Sequence, residues 1–540
     1  MKNRLLISSA LLCVSMIALP GCKRKTGVED TYEGDRLILN LRNLYFSSWD
    51  GSDGYTEVIQ EKFKVKIKPS SYDYNSWGEQ VTGEVNGNNI GDTFHFDLES
   101  FNFGNTYRKW ARGNVTKALP DDLSSWPNLK HLIDTTSNIN SLKIDGKLYG
   151  IPLAYNKDDP QKDFSSFTYV YRRDWVKALD AAHEGEPGYP LYRENDVYTW
   201  EEFNKIIEEF GKRSDVASGN ACAIGDVSWG FPSLTNFYKD SPHCYSVQPS
   251  GHVVNAFTTS GYEQGIQDTR AIIRKGIYYD QVSNTNNTHA YDEYKSGRMG
   301  IYYENLSLSN YSTLRKDIKN LNPSLNDDQL NERTAIMRVK GPDGKFHLEG
   351  SENWFSMTFL NFDISDNKMH KILDIMDYLL SEEGTRLAIF GKEGYDYKMV
   401  DGEPELIPDN WPKKSDGEYA TKINGAKYLR EMVTLNNDTA AVDPFTDLKS
   451  YAVIKKWQDD MKTAKANGNL VLFAEPANVK WLSTENKDMY TSALIKEGND
   501  NALRFCYDKE GYRTIPEYEG KFNSKKWTDT INEINRALGK

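Results

Sequence analysis

Asp145-Gly146-Lys147-Leu148-Tyr149-Gly150-Ile151-Pro152, with Tyr169-Val170-Tyr171-Arg172-Arg173-Asp174-Trp175 soon after it, is the stretch whose reading decides the fold. Asp-Gly marks a tight turn. The turn throws the chain into an extended segment that carries Pro152. A second extended segment, Tyr169–Tyr171, then runs straight into a helix that Asp174 is placed to cap. Upstream the chain alternates. Leu37 to Leu41 reads as a strand, Tyr55 to Phe63 has helical spacing, and Val65 and Ile67 alternate until Pro69 stops them. Asn75 to Val85 reads as a helix and Asp92 to Asp97 as a strand. The β-α-β-α-β order predicts an α/β layer with a mostly parallel sheet. Ligands of such sheets sit outside the carboxyl ends of the strands, which puts Tyr45 to Asp50 and Asp97 to Phe103 beside a cleft.

Downstream, Thr199-Trp200-Glu201-Glu202 has the form of a capping box, in which Thr199 satisfies an early backbone N–H and Glu202 reaches back. Trp200, Phe203, Ile206, Ile207 and Phe210 follow at helical spacing. Gln264 to Lys275 reads as a helix, and Tyr294 to Ile301 as a helix end turning into a strand. Lys368 to Leu380 is strongly amphipathic, with Met369, Ile372, Leu373, Met376, Leu379 and Leu380 inward. There is no internal repeat and no low-complexity run.

With 540 residues, the chain is long enough for two or three domains. A hydrophobic fraction of 38% lets it bury a sizeable core. The net charge of −12 argues against nucleic acid, which needs a basic footprint. The five cysteines are Cys13, Cys22, Cys222, Cys244 and Cys506. A Cys222–Cys244 disulfide is open to an exported chain but not fixed by sequence, and buried or idle thiols are the plainer reading. No C-x-x-C pair and no His cluster with zinc spacing occurs. Asp50-Gly51-Ser52-Asp53-Gly54 with Glu61 imitates a calcium loop, but Gly and Tyr stand at its fifth and sixth positions, so it reads as a helix cap. No cofactor and no metal is expected.

The N-terminus reads as an export signal. Lys2 and Arg4 precede a mostly apolar run from Leu5 to Leu19, too short and too interrupted for a spanning helix. Leu19-Pro20-Gly21-Cys22 resembles a bacterial lipobox, which would make Cys22 the lipidated first residue of an extracytoplasmic, membrane-anchored protein. Pro20 departs from that pattern. Lys23 to Glu33 reads as a polar tether outside the fold.

Several landmarks then fall in one order. They are Thr199-Trp200-Glu201-Glu202-Phe203, the helix ending near Gly276, Ser296-Gly297-Arg298-Met299-Gly300 and Gly341-Pro342-Asp343-Gly344-Lys345. Tyr378-Leu379-Leu380-Ser381-Glu382-Glu383-Gly384 and Gly391-Lys392-Glu393-Gly394-Tyr395-Asp396-Tyr397 complete the series. Together with the opening stretch they resemble the family 1 extracellular solute-binding proteins of bacterial ABC importers. The likeness is greatest to the large lipoprotein branch that serves oligosaccharides, over residues 37 to 400. The resemblance implies a two-lobed, periplasmic-binding-protein-like type II α/β fold with hinge crossings and a ligand cleft between lobes. It divides the chain into a signal peptide (1–21), a lipid-anchored tether (22–35), lobe 1 (36–155 and 356–430) and lobe 2 (156–355 and 431–540). The opening stretch is then one lobe-to-lobe crossing, and the segment near 354–362 the return. Some members of the branch carry an acidic calcium loop after the helix that follows the Thr-Trp motif. Here that place runs from Arg213 to Cys222 and lacks the set of carboxylates, so calcium is not carried over.

A glycan binder needs apolar platforms for sugar faces and fixed polar groups for hydroxyls. Candidates from strand-end, loop or crossing positions are Trp49, Asp50, Trp77, Asp97, Tyr155, Arg172, Trp229, Tyr303, Glu304, Trp354 and Tyr395. For each Trp the competing reading is a core position, since Trp is buried on average. Trp175 and Trp200 are assigned to the core by their helical spacing. Arg172 holds a sugar group or forms an ion pair between lobes. No G-x-S-x-G, H-E-x-x-H, P-loop or G-x-G-x-x-G is present. The expectation is a monomeric, non-enzymatic capture protein working with ABC permease subunits. The alternatives are a surface-anchored glycan-active enzyme, whose carboxylate pair can be far apart in the chain, and a peptide or amino-acid receptor or a lipoprotein with only a scaffolding role.

Overall fold

The computed structural model describes residues 29–46, 49–97, 103–154, 164–215, 222–226, 233–279, 289–413, 419–435, 443–508 and 512–540. In chain order the framework strands are β1 (Arg36–Asn43), β2 (Val65–Ser71), β3 (Thr93–Asp97), β4 (Ile151–Ala154), β5 (Phe167–Tyr171) and β6 (Val197–Tyr198). They continue with β7 (Cys222–Asp226), β8 (Met299–Asn305), β9 (Ala335–Val339), β10 (Phe346–Glu349), β11 (Trp354–Leu360) and β12 (Leu470–Phe473).

These strands form two bodies. In the first, β1 pairs with β2 in parallel, Leu39 opposite Ile67, and β11 lies between β3 and β4, antiparallel to both. Asp92 joins the two halves. The Asn40 amide donates to Asp92 Oδ2 at 2.7 Å and the Asp92 amide donates to the Asn40 carbonyl at 2.7 Å. Lys368, on the helix Asp366–Leu380, donates to both carboxylate oxygens of Asp92 at 2.9 Å. The body's core runs through Leu39, Ile67, Phe94, Ile151, Met357 and Phe359. The expected inward face of that helix, Ile372, Leu373, Met376 and Leu379, packs on it.

The second body has strand order β6-β9-β5-β8-β7. Its sheet is covered on both sides. Tyr169 and Tyr171 join Phe203, Ile206 and Phe210 on one face, while Val170 joins Met299, Tyr302 and Tyr311 on the other. That alternation follows from the period of two along a strand. A further helical core, with Tyr245, Phe257, Ile266, Phe505 and Trp527, is shared by residues near 250 and the C-terminal helices. The chain passes between the bodies three times: between Ala154 and Phe164, through 350–353, and between Leu435 and Asp443.

The sheets are less parallel than the element order predicts. β1–β2, β7–β8, β6–β9 and β10–β12 are parallel, but β5 runs antiparallel to β8 and β9, and β11 antiparallel to β3 and β4. β5 and β11 are the strands that follow a crossing. Each enters its body at the edge where that body's own strands finish, so each must run the other way.

Local signals read from the sequence have their expected partners. Thr199 and Glu202 form both bonds of the capping box. Asp53 caps the helix Gly54–Phe63. Trp175 is buried, and Trp200 is half-buried against the same core. Two local readings need correction. Asp174 lies inside the first turn of Arg173–Ala182 rather than at its cap, because its carboxylate is taken by Arg172. The end of the polar tether belongs to the first body: Tyr32–Glu33 pairs with β1, and Asp30 accepts from Ser365 Oγ at 2.5 Å. Cys222, Cys244 and Cys506 are free, Cys244 and Cys506 sharing the C-terminal core and Cys222 lying apart from it at the head of β7. Among the described residues no helix is long and apolar enough to cross a membrane.

Candidate functional site

In the first body β1 and β3 end at Asn43 and Asp97, and the antiparallel β11 begins at the same edge with Trp354. Tyr45 stands just past β1, half-buried. Burial, and then the neighbouring Glu431, Asp97 and Tyr74, push its phenol far above the ordinary range. These four side chains therefore share one corner. Tyr74 is 73% exposed there, an apolar ring open to solvent at a strand edge.

The two tryptophans expected near this edge turn inward. Trp49 is 4% exposed, donates through Nε1 to Asp53 Oδ2 at 2.7 Å, and stacks on Tyr428 with centroids 5.6 Å apart. Asp53 also accepts from the Gly425 amide at 3.1 Å, and a Cβ on Gly425 would lie 1.8 Å from Thr56 Oγ1. Only glycine lets the segment that carries Tyr428 close over Trp49. Trp77 is 6% exposed and donates to the His95 carbonyl at 2.9 Å. Both are core residues of the first body. Asp50 is exposed and closes its own turn, accepting from Ser52 N at 2.9 Å and Ser52 Oγ at 2.6 Å.

In the second body the corresponding edge holds the end of β7 at Asp226, the end of β8 at Asn305 and the start of β5 at Phe167. Phe167 pairs with Asn305, whereas Tyr171 pairs with Ile301. Arg172 therefore lies at the opposite edge. There it binds Asp174 (2.8 and 2.5 Å) and lies 4.9 Å over the Trp175 ring, which is neither a cleft contact nor an ion pair between lobes. Tyr303 is buried, accepting from Asn236 Nδ2 at 2.7 Å and stacking on Phe167. Glu304, one residue on, faces the other way and is half-buried. It accepts from Tyr302 Oη at 2.5 Å and from the Asn305 amide at 2.7 Å, and burial raises its carboxyl. Tyr395 is exposed in the turn before the hairpin Tyr397–Leu406, under Lys422, away from the strand ends. Tyr155, Trp229 and Cys22 lie outside the described residues.

Asp226 is 1% exposed, and burial raises its carboxyl from 3.8 to about 6, against the opposing bonds from Ser233 and Tyr278. Between pH 4 and 6 the unfolded chain releases this proton while the folded one keeps it. The resulting stabilisation is full below pH 4 and is lost as pH rises through about 6. Asp226→Asn keeps an acceptor for Ser233 and Tyr278 and removes the charge. It should gain about 2–3 kcal/mol over the native chain at pH 8 and nothing at pH 4. Melting curves of both proteins across that range check this; a difference that does not change with pH would refute it.

The two edges meet where 350–353 crosses between the bodies. A cleft of about 400 Å³ opens there, lined by Ser137 and Asn138 from the first body and by Phe167, Asn305 and Ser307 from the second. Glu349 lines it from the end of β10, Ser351 and Glu352 from the crossing, His243 from the segment just before residue 250, and Glu475 and Lys480 from the C-terminal part. Asn138 Nδ2 donates to both oxygens of Glu352 at 2.9 Å, and Lys480 Nζ stands 3.8 Å from the same carboxylate. Burial raises the carboxyls of Glu349 and Glu475 and lowers His243 to about 4, so that imidazole is neutral at physiological pH. Trp354 backs this wall rather than facing into it. It is 2% exposed, donates through Nε1 to the Ser137 carbonyl at 3.0 Å, and stacks on Trp481 with centroids 5.8 Å apart.

Glu349, Glu352, Glu475 and Lys480 were not among the candidates read from sequence. A signal for the first two existed in Glu349-Gly350-Ser351-Glu352-Asn353, a short polar run leading into the return crossing. Glu475 and Lys480 had no local signal, since only the pairing of β10 with β12 brings them beside the crossing.

Residues 55–386 match the family model of the bacterial extracellular solute-binding proteins. The chain belongs to that family. This solute-binding protein is 21% identical over 443 residues to the polygalacturonan/rhamnogalacturonan-binding protein YtcQ of Bacillus subtilis (strain 168), covering 77% of this chain and 78% of YtcQ. Its fold is similar to that of the alginate-binding protein AlgQ2 without calcium ion, with a TM-score of 0.61 at 12% identity over 93% of this chain and 98% of that one. An HMO-binding, ABC-transporter-associated solute-binding protein of Bifidobacterium longum infantis has a TM-score of 0.62 at 12% identity over 94% and 97%. FusA of S. pneumoniae, in complex with kestose, has a TM-score of 0.59 at 13% identity over 93% and 99%. The fold is thus the expected periplasmic-binding-protein-like α/β arrangement, and the family is extracytoplasmic.

Proposed function

We propose that this solute-binding protein captures an oligosaccharide between its two bodies and delivers it to the transmembrane subunits of an ABC importer. It acts as a monomer held to the membrane through lipid on Cys22. The observation that carries the reading is the polar cleft at the crossing, built from both bodies and the hinge segment itself. Its volume, about 400 Å³, lies in the range of ligand sites, and its walls supply hydroxyl, amide and carboxylate groups. A ligand touching both walls favours the closed arrangement, and that difference in affinity drives a hinge motion. The relatives named above bind glycans, which supports a saccharide as the cargo.

Tyr74, exposed beside Tyr45 at the strand-end edge of the first body, is proposed as an aromatic platform for a sugar ring. Trp229 and Tyr155, each close after a strand in the sequence, are further proposed contacts. Covering one face of Tyr74 with a sugar ring would contribute about 1–2 kcal/mol at about 25 cal/mol per Å². Tyr74→Ala should therefore weaken binding about tenfold with the melting temperature unchanged. Calorimetry against a glycan panel, beside melting curves, checks both parts. A variant with native affinity would remove Tyr74 from the site. Glu349 and Glu475, two carboxyls raised by burial in one cleft, favour a second reading as a glycan-cleaving enzyme. Product analysis of the same titrations separates the two: intact glycan supports capture, and turnover abolished by Glu349→Gln or Glu475→Gln supports cleavage.

A further inference from the structure

The charges around the cleft bear on which saccharides it can take. Among the described residues three carboxylates line it, Glu349, Glu352 and Glu475, against one ammonium, Lys480. That ammonium stands 3.8 Å from Glu352 and also faces Glu349 and Glu475 electrostatically. Lys239, deeper in, is paired in charge with Glu349 and lies 4.8 Å over the Phe473 ring. Lys487 donates to the Lys480 carbonyl at 3.1 Å, and Arg108 donates to the Trp481 carbonyl at 2.7 Å. His243 is neutral. Among the described residues, Lys480, Lys239 and Lys487 are therefore set against the cleft's own carboxylates.

Recognition of a sugar carboxylate calls for the opposite arrangement, an arginine fork or an ammonium offered to the ligand. Glu475 supplies an independent sign of what the cleft awaits. Its Oε1 is buried and has no hydrogen-bond partner among the described residues. A buried acceptor in that state is costly, and a donor supplied by a ligand would satisfy it. Sugar hydroxyls are such donors, and a neutral saccharide brings them without adding a further acceptor-only carboxylate to a cleft already lined by three.

We infer that the saccharide this cleft accepts is uncharged, with hydroxyls donating to Glu475 and Glu349, and that uronic-acid oligosaccharides are rejected. The inference rests on the oligosaccharide reading above. It separates this chain from relatives described as binding polygalacturonan and alginate.

The test is calorimetry of the purified protein with matched pairs that differ only in the carboxylate, such as tetragalacturonate and its carboxyl-reduced form. Neutral gluco-, manno- and xylo-oligosaccharides are added to the panel. The expected result is a neutral ligand bound at least tenfold more tightly than any acidic one, with affinity changing less than about twofold between low and high salt, since no ion pair forms. Glu475→Ala should weaken the neutral ligand tenfold or more, and Glu475→Gln, which keeps an acceptor oxygen, should weaken it less. An acidic member bound more tightly than its reduced form, with affinity falling as salt rises, overturns the inference and leaves the oligosaccharide reading standing. Native affinity in a folded Glu475→Ala also overturns it. If that variant does not fold, the matched pairs on the native chain still decide. Silence of the folded protein toward every saccharide, neutral and acidic, would overturn both readings together.

Discussion

Replacing Lys368 by methionine is expected to destabilise the first body by about 3–5 kcal/mol, a fall of roughly 6–20 °C in its melting transition. The side chains of Lys368 and Asp92 are 6% and 10% exposed, and the ammonium contacts both carboxylate oxygens. The net worth of such a pair is small, because desolvating two charges cancels most of their attraction. Removing one partner is costly, because the other is left buried and charged. Here the abandoned group is Asp92, whose carboxylate and amide join β1 to β3 through Asn40. The double variant Lys368→Met/Asp92→Asn should recover a large part of the loss, since asparagine can still accept from the Asn40 amide without carrying charge. Chemical denaturation of the four proteins measures this coupling. A single variant melting within a degree or two of the native chain, or losses that simply add, would show that the pair does not hold this seam.

Trp354→Ala should cost about 3–5 kcal/mol as well, but through a cavity rather than a charge. The indole is 2% exposed, bonded to the Ser137 carbonyl, and stacked against Trp481 from the C-terminal part of the chain. Its loss opens a void at the hinge and loosens the contact between β11 and that segment. Trp354→Phe, which keeps most of the apolar area, should restore more than half of the stability. Glycan titration at a temperature where the alanine variant is folded should find only a modest change in affinity. The reverse outcome, native melting with affinity reduced a hundredfold, would make Trp354 a sugar platform and the core assignment wrong. Trp354→Ala and Tyr74→Ala therefore form a contrasting pair, one expected to change stability and the other affinity.

What the amino-acid order determines by itself here is whatever depends on neighbours within a turn or a strand. The period of two in β5 and the 3.6-residue period of Asp366–Leu380 are local, and both elements formed where those patterns lie. The capping box at Thr199 and Glu202 is local too. Ordered motifs at long spacing carried the family resemblance, because each one marks the end of an element whose place in the fold is fixed by its partners. Strand direction was not legible in the same way. It depends on which body the chain has just left, so β5 and β11 run against the strands beside them.

The site was the least legible part. A tryptophan after a strand can turn out to a ligand or in to a gap between helices, and its neighbours in sequence do not say which. Trp49 turned in because Asp53 and Gly425, far apart in the chain, close over it. Arg172 was misread because its position past a strand fixes an edge only once the strand's direction is known. Glu475 and Lys480 reach the cleft through the pairing of β10 with β12, a contact between distant segments. The sequence alone thus settled the elements with strong local periodicity up to about residue 400 and the family they belong to, while the C-terminal helices, such as Leu448–Ala466 and Glu485–Cys506, came only with the structure. Only the tertiary structure decided which side chains share the cleft, because burial and charge there are properties of the packed assembly and of no single segment.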